Sequence, residues 1–293
     1  MSQTASPPAA PSSQAPLPPS PIGSPSSSPA ASPAAATLAG CPAPRSLASL
    51  TLLTRAIATP DDLTQTATGS VWVSSAAGGT LTEVALDGRV LRSISDQHAP
   101  EGLVTLPTGH ILVAEQGANR IADLGPDGTL TPLIQLTNHT TNSGVDGLAL
   151  DSDGRLLVPD SPNGTLLAYP VSGGTPQTLA GHLGRPVAAA RTPRGELYVA
   201  VENSPGLLRI GAGGVTTAVG SHGQLDEVIA ANGLLYVGDL TRHELRAVDP
   251  ATGTQRVLVT GSPELQGLIA LADGRLLLSD TTAGVLALVD ACH

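Results

Sequence analysis

The chain has 293 residues and a net charge of −10, from 24 acidic and 14 basic side chains. Every basic residue is Arg, because Lys is absent, and this excludes a lysine Schiff base and a phosphate-loop lysine. The acidic balance, with one Trp, three Tyr and no Phe, argues against nucleic acid as a partner, since nucleic-acid binding needs a basic face and stacking side chains. No run of about 18 apolar residues occurs, so we expect no transmembrane segment.

Residues 1–40 differ in composition from the rest of the chain. They carry no charged side chain and consist mainly of Pro, Ser and Ala. Such a segment buries too little apolar area to offset the entropy of ordering it, so we predict a disordered tether over residues 1–40 and a folded domain over residues 41–293. The tether has no basic start and no continuous apolar stretch, so no secretory signal is recognisable in it.

From Ala56 onward the sequence repeats with a period near forty residues. Each copy places a glycine between two short apolar runs, and two further short runs follow in most copies. These glycines are Gly69, Gly109, Gly154, Gly195, Gly233 and Gly274. Four short antiparallel strands in each of six copies predict an all-β fold, a six-bladed β-propeller with four-stranded blades.

The sixth copy has only three strands, the last of them Val285 to Val289. The apolar segment from Leu50 to Ile57 precedes the first blade, and we predict that it completes the last blade and so removes an open edge. Cys41 and Cys292 flank the two strands that would pair, which predicts a disulfide and hence an extracytoplasmic protein, secreted or surface-attached. The sequence Leu-Ala-Gly before Cys41 leaves lipidation of Cys41 as an alternative that excludes this disulfide.

Six polar residues occupy the positions where the inner strands begin, so all six should surround one end of the central channel. They are Asp62, Glu101, Asp146, Arg185, Asp226 and Gln266, and we predict that they bind a ligand. Four carboxylates so close together raise one another's pKa unless a cation compensates them. A divalent cation, most simply Ca²⁺, is the natural compensator, with Asp62, Glu101, Asp146 and Asp226 as its ligands. The alternative is a water-filled mouth whose carboxylates cap turns.

A second set of acids follows the second strand of successive blades, and we call them the strand-end acids. They are Glu115, Asp160, Glu202, Asp239 and Asp280. An acid at such a position can accept backbone N–H bonds in the turn to the third strand, so we predict that this set is structural.

The stretch GHILVAEQGANRI at residues 109–121, followed by GPDGT at residues 125–129, resembles an NHL repeat. It is also similar to the senescence-marker-protein/gluconolactonase family and its streptogramin-lyase relatives, closely over this blade and loosely over the other five. The resemblance implies a six-bladed ring with a ligand mouth and, in the gluconolactonase branch, a divalent cation held by a Glu, Asn residues and an Asp. On this resemblance Asp61 and Asp62 stand at the position of the Glu and Asp226 at that of the Asp, whereas Val145 replaces an Asn.

Two functional interpretations follow. The missing Asn favours a non-catalytic, monomeric propeller, exported or surface-exposed, that binds a small molecule or a protein partner at the acidic mouth. The alternative is a divalent-metal-dependent hydrolase of a lactone or small ester, with Asp226 and Glu101 as the catalytic candidates.

Overall fold

The computed structural model describes residue 1 and residues 36–138, 144–203 and 205–293. These residues form 25 β-strands in six sheets and five 3₁₀ turns, with no α-helix among them. The 3₁₀ turns are Leu38–Gly40, Leu47–Ser49, Gln116–Ala118, Ser161–Asn163 and Ala212–Gly214. None of these helical turns is long and apolar enough to cross a membrane.

Each sheet is one blade built on four antiparallel strands, and in the first five blades these four strands follow chain order from the inner to the outer strand. The first blade is β3 Leu63–Gln65, β4 Val71–Ser75, β5 Thr80–Val84 and β6 Val90–Ser95. The second blade is β7 Pro100–Thr105, β8 Ile111–Glu115, β9 Arg120–Leu124 and β10 Leu130–Gln135. The third blade is β11 Ala149–Leu150, β12 Arg155–Asp160, β13 Thr165–Pro170 and β14 Gln177–Ala180, and the fourth is β15 Pro186–Arg191, β16 Leu197–Val201, β17 Leu207–Ile210 and β18 Thr216–Ala218. The fifth blade is β19 Leu225–Ala231, β20 Leu234–Asp239, β21 Glu244–Val248 and β22 Gln255–Thr260.

The sixth blade combines both ends of the described domain, as the sequence predicts. It contains β23 Leu265–Ala270, β24 Leu276–Asp280, β25 Val285–Val289 and the N-terminal strand β2 Thr51–Thr54. Thr51 lies opposite Leu288 in the antiparallel pair of β2 with β25. Cys41 and Cys292 form a disulfide at this seam, which confirms the predicted pairing and leaves neither thiol free.

The folded domain begins earlier than the composition indicates. Residues 36–40, which we assigned to the tether, belong to the folded unit, because Ala36 N donates to Asn232 O at 2.7 Å and Thr37 N donates to His293 O at 3.2 Å. Ala36 is buried in the same cluster as Cys41, so its packing offsets the cost of ordering this short stretch. A further strand, β1 Arg45–Ser46, lies parallel to β22 and widens blade five. The tether prediction for residues 2–35 lies outside the described residues.

The apolar runs form the second strands, which are buried along their whole length in β4, β8, β16 and β24. The outer strands β6 and β18 are mostly exposed. The inner strands contact one another around the ring, from β3 through β7, β11, β15, β19 and β23 back to β3. This cyclic contact surrounds a central channel and places the start of each inner strand at one end of it.

Glycine allows the close approach of neighbouring inner strands at the channel. Gly147 N donates to Val187 O of the next blade at 2.8 Å, and a Cβ at Gly147 would lie 2.6 Å from that oxygen. A Cβ at Gly267 would lie 2.5 Å from Asp61 O. Larger residues at these positions would push the blades apart, so the glycines fix the diameter of the mouth.

Candidate functional site at the channel mouth

A cavity of about 230 Å³ lies at the end of the channel where the inner strands begin, and we call it the mouth. Five of the six residues predicted to bind a ligand line it, namely Glu101, Asp146, Arg185, Asp226 and Gln266. Five further polar or acidic residues line the mouth, namely Asp61, Glu202, Glu264, Gln116 and Thr281. The structure therefore brings six carboxylates and one guanidinium to a single cavity.

The predicted residue Asp62 lies below the mouth rather than in it. Asp61 faces the mouth instead, and Asp62 lines a second cavity in the channel together with Glu227. The carboxyl of Glu227 is hydrogen-bonded to that of Asp62. The sequence analysis did not include Glu227, because it took one residue from the start of each inner strand, and strict alternation would place two successive side chains on opposite faces. A β-bulge between Leu225 and Glu227 breaks this alternation, so Asp226 and Glu227 both face the axis.

Burial and mutual repulsion raise the pKa values of the mouth carboxyls. Burial first, and then the charges of Asp146 and Asp61, raise the pKa of Glu101 well above its usual value. Burial and the charge of Asp146 likewise raise the pKa of Asp226. Burial raises the pKa of Asp146 to about 6, although the nearby Arg185 opposes the rise. The mouth therefore holds protons to a higher pH than isolated carboxyls would.

The carboxyl of Glu101 is hydrogen-bonded to that of Asp146, and this bond lowers the pKa of Asp146. Glu101 is therefore the donor of the pair and Asp146 the acceptor, since accepting a bond favours the ionised form. Asp226 has a different partner. When the Gln266 amide nitrogen faces it, Gln266 donates to both carboxylate oxygens of Asp226, at 3.2 and 2.6 Å, and so favours its ionised form.

Arg185 lies beside two acids of the mouth. Its Nη2 is 3.4 Å from Asp146 Oδ2, and its Nη1 forms an ion pair with Glu202. Glu202 is one of the strand-end acids that we predicted to be structural, and it lies in the mouth instead. The reason is local, because Arg185 O accepts a bond from Glu202 N at 3.1 Å and holds the two side chains together.

Two other strand-end acids are structural, as predicted. Asp239 accepts bonds from the backbone nitrogens of Gly223 and Arg242, at 3.2 and 3.0 Å. Asp280 accepts from Glu264 N at 3.2 Å, from Ala283 N at 2.7 Å and from Ser262 Oγ at 2.6 Å. Each of these carboxylates is therefore neutralised by groups of its own blade.

Within the described ranges, one trio of side chains presents potential metal-ligating atoms all within 4.8 Å of one another. It consists of Asp96, His98 and Glu115, beside the mouth rather than in it. Arg120 forms an ion pair with Glu115 and lies 3.4 Å from His98 Nδ1, so a guanidinium already compensates this cluster. No three of the predicted ligands Asp62, Glu101, Asp146 and Asp226, all of them described, form such a trio, and Asp62 lines the channel rather than the mouth.

No protein-family model matches the sequence, and no curated protein matches it either. Solved structures with the same fold do match. A gluconolactonase from Xanthomonas campestris aligns with a TM-score of 0.71 at 16% identity, covering 88% of this chain and 96% of that one. The calcium-binding protein regucalcin from Agrobacterium tumefaciens gives a TM-score of 0.70 at 14% identity, covering 82% and 93%. The virginiamycin B lyase from Staphylococcus aureus gives 0.60 at 12% identity, covering 80% and 85%. The chain is thus similar in fold to gluconolactonase, regucalcin and streptogramin-lyase propellers.

Proposed function

We propose that the protein is a hydrolase that opens a lactone or small ester at the mouth. The observation that carries this proposal is the pairing of two differently held carboxyls in one cavity. Glu101 donates to Asp146 and has a raised pKa, which favours its protonated form, whereas Gln266 donates to both carboxylate oxygens of Asp226 and favours its ionised form. A site in which one carboxyl favours its protonated form and another favours its ionised form can perform general acid and general base catalysis together. The fold likeness to a gluconolactonase supports the same reaction class.

Asp226 is the general base of the proposed reaction. It takes a proton from a water molecule whose oxygen attacks the acyl carbon of the substrate. Because burial and the charge of Asp146 raise its pKa, Asp226 is a stronger base than an exposed aspartate, and the bonds from Gln266 favour its ionised form. The resulting bond joins the water oxygen to the acyl carbon.

Glu101 is the general acid of the proposed reaction. Its proton passes to the alkoxide oxygen as the ring C–O bond breaks, which yields a hydroxyl and a carboxylic acid. Burial and the surrounding carboxylates raise the pKa of Glu101, so Glu101 keeps its proton to a higher pH than an ordinary glutamate does. One proton enters at Asp226 and one leaves from Glu101, so the reaction consumes only water and substrate.

The mouth suits a divalent cation by the chemistry of its donors. Its side chains offer oxygen ligands and an excess of negative charge, the set that Ca²⁺ prefers. Glu101 and Asp146 would hold the cation in place of their shared proton, and a bound cation would supply charge that polarises the substrate carbonyl. The neighbour in Agrobacterium is described as calcium-binding, and this supports the proposal.

A non-catalytic binding propeller is the second candidate. It is favoured by Arg185, whose guanidinium compensates Asp146 and Glu202 without a metal, and by Val145 at the position of an expected Asn. Its ligand would be a small molecule or a protein partner at the mouth of a monomer. For either candidate we propose an extracytoplasmic location, which the disulfide supports.

A panel of lactones and small esters, assayed with and without EDTA, tests the proposal. We expect turnover of at least one compound, lost in Asp226→Asn and retained in Asp87→Asn, an exposed acid paired with Arg89 far from the mouth. EDTA sensitivity restored by Ca²⁺ would support the cation as well. If no compound is hydrolysed, with or without Ca²⁺, the enzyme proposal fails and the binding propeller replaces it.

A further inference from the structure

A second cavity, of about 180 Å³, lies on the axis below the mouth, and we call it the channel cavity. In three blades, one residue lines the mouth and the next residue lines the channel cavity. These pairs are Asp61 and Asp62, Asp146 and Gly147, and Asp226 and Glu227. The channel cavity therefore starts where the mouth ends, directly below the carboxyls to which we assign the chemistry.

The walls of the channel cavity are mainly aliphatic. They are formed by inner-strand residues that include Leu63, Val104, Leu148, Ala188, Val228 and Ile269. An apolar cavity of about 150 Å³ is large enough for a benzene ring, so the channel cavity has room for about six carbon atoms.

The polar side chains of the channel cavity already have partners. Glu227 donates to Asp62, and its Oε1 accepts a bond from Val228 N at 2.7 Å. Thr64 Oγ1 is 3.1 Å from Thr105 Oγ1 and accepts a bond from Thr105 N at 3.0 Å. With these groups bonded to one another, the cavity offers few partners to water or to ligand hydroxyls. The aliphatic walls away from these carboxyls favour apolar groups over water.

We infer that the channel cavity receives an alkyl substituent of the substrate while the reacting carbonyl remains at the mouth. The substrate class is then a lactone or ester with an unbranched alkyl chain of about four to six carbons, in preference to a polyhydroxylated sugar lactone. A sugar ring in this cavity would bury hydroxyls without partners. This inference rests on the proposed hydrolase and adds the specificity of its site.

The first test is a series of γ-lactones that differ only in their alkyl chain, from none to eight carbons, with glucono-1,5-lactone for comparison. We expect kcat/KM to rise about fourfold per methylene until the channel cavity is full, and then to level off. The sugar lactone should be a poorer substrate than the butyl-substituted lactone. A flat series, or a preference for the sugar lactone, overturns the inference.

Two variants alter the channel cavity in opposite directions. Ala149→Leu narrows the channel cavity at a half-buried position. Because only a shorter alkyl chain then fits, the ratio of long-chain to short-chain kcat/KM should fall by at least tenfold. Leu148→Ala widens it and should move the optimum to longer chains. Ala218→Leu makes the same change as the first variant on the exposed outer strand β18, and it should leave the series as in the wild type. Thermal unfolding of each variant shows whether it folds.

A binding measurement separates this inference from the proposed hydrolysis. In an NMR titration, 1-hexanol should perturb channel residues and bind more tightly than 1-butanol, and Ala149→Leu should abolish this binding. If the alkanols bind in this way but no lactone is hydrolysed, the channel inference stands and the hydrolase proposal alone fails. If lactones are hydrolysed but alkanol binding is absent or indifferent to Ala149→Leu, the channel inference fails and the hydrolase stands.

Discussion

The mouth acids and the strand-end acids lie at the same end of the propeller and differ in what neutralises them. Leu225, beside the mouth acid Asp226, lies opposite Asp239, and Leu265 lies opposite Asp280. Asp239 and Asp280 accept bonds from backbone nitrogens of their own blade. Glu101 and Asp226 face other carboxyls across the mouth. Acids at nearly the same position therefore stabilise the fold when backbone groups of their own blade satisfy them. They are available for chemistry when side chains of other blades, most of them acidic, surround them.

The largest expected effect is on catalysis at the mouth. Glu101→Gln removes the proton donor, and we expect kcat to fall on the order of 10²-fold. In the wild type, activity should decline as the pH rises through the raised pKa of Glu101, because the protonated form is lost. The variant should lack this alkaline decline. A pH profile of kcat measures both effects, and an unchanged alkaline limb in the variant would assign the acid to another group.

The next largest effect is on stability and concerns a strand-end acid. Asp280 accepts hydrogen bonds from backbone N–H donors, and Asp280→Asn places an amide NH₂ group, itself a donor, against one of them. We expect a loss of about 2–4 kcal/mol in the free energy of unfolding, because a buried donor then lacks an acceptor. Urea unfolding measures the loss. Asp273→Asn, an exposed acid of the same blade, is the matched control and should change stability little. If Asp280→Asn is as stable as this control, Asp280 does not have the structural role that we assign to the strand-end acids.

A smaller effect concerns the pH dependence of stability. Burial and the charge of Asp146 raise the pKa of Asp62 from 3.8 to about 7, so the folded state holds a proton that the unfolded chain releases. The stabilisation linked to Asp62 is complete below about pH 4 and is lost as the pH rises through about 7. We expect Asp62→Asn to raise the melting temperature at pH 8 by about 3–6 °C and to change it less at pH 4. An equal change at both pH values would contradict the raised pKa.

The smallest effect concerns Arg185. Arg185→Gln removes the guanidinium that lowers the pKa of Asp146, so the mouth loses its compensating charge. We expect Ca²⁺ to bind about fivefold more tightly in calorimetric titrations at pH 7.5. Arg89→Gln, which removes an exposed guanidinium elsewhere, is the control. Weaker Ca²⁺ binding in Arg185→Gln would show that the cation is not held beside Asp146.

The ring and its closure could be predicted from the sequence because both depend on repetition. Six similarly spaced glycines mark the hairpins, and the incomplete last copy requires a strand from the N-terminal side, which β2 supplies. Cys41 and Cys292 follow from that closure. The contribution of residues 36–40 could not be predicted, because their Pro/Ser/Ala context resembles the tether and only contacts such as Ala36 N to Asn232 O distinguish them.

The site was predictable by blade position and not by side-chain direction. The starts of the inner strands identify Glu101, Asp146 and Asp226, because the ring brings these positions together. The sequence could not show that a bulge turns Glu227 inward, or that Asp61 rather than Asp62 faces the mouth. Bulges depend on the backbone fit between neighbouring strands, which strand alternation does not encode.

Parallel measurements on Asp226→Asn and Asp280→Asn test the central claim most directly. We predict that Asp226→Asn loses lactone turnover and keeps or gains stability, because it removes one charge from a repelling group. We predict that Asp280→Asn loses stability and retains turnover per folded molecule. If both variants lose stability to the same extent, or if Asp226→Asn retains turnover, the mouth acids and the strand-end acids do not differ as proposed.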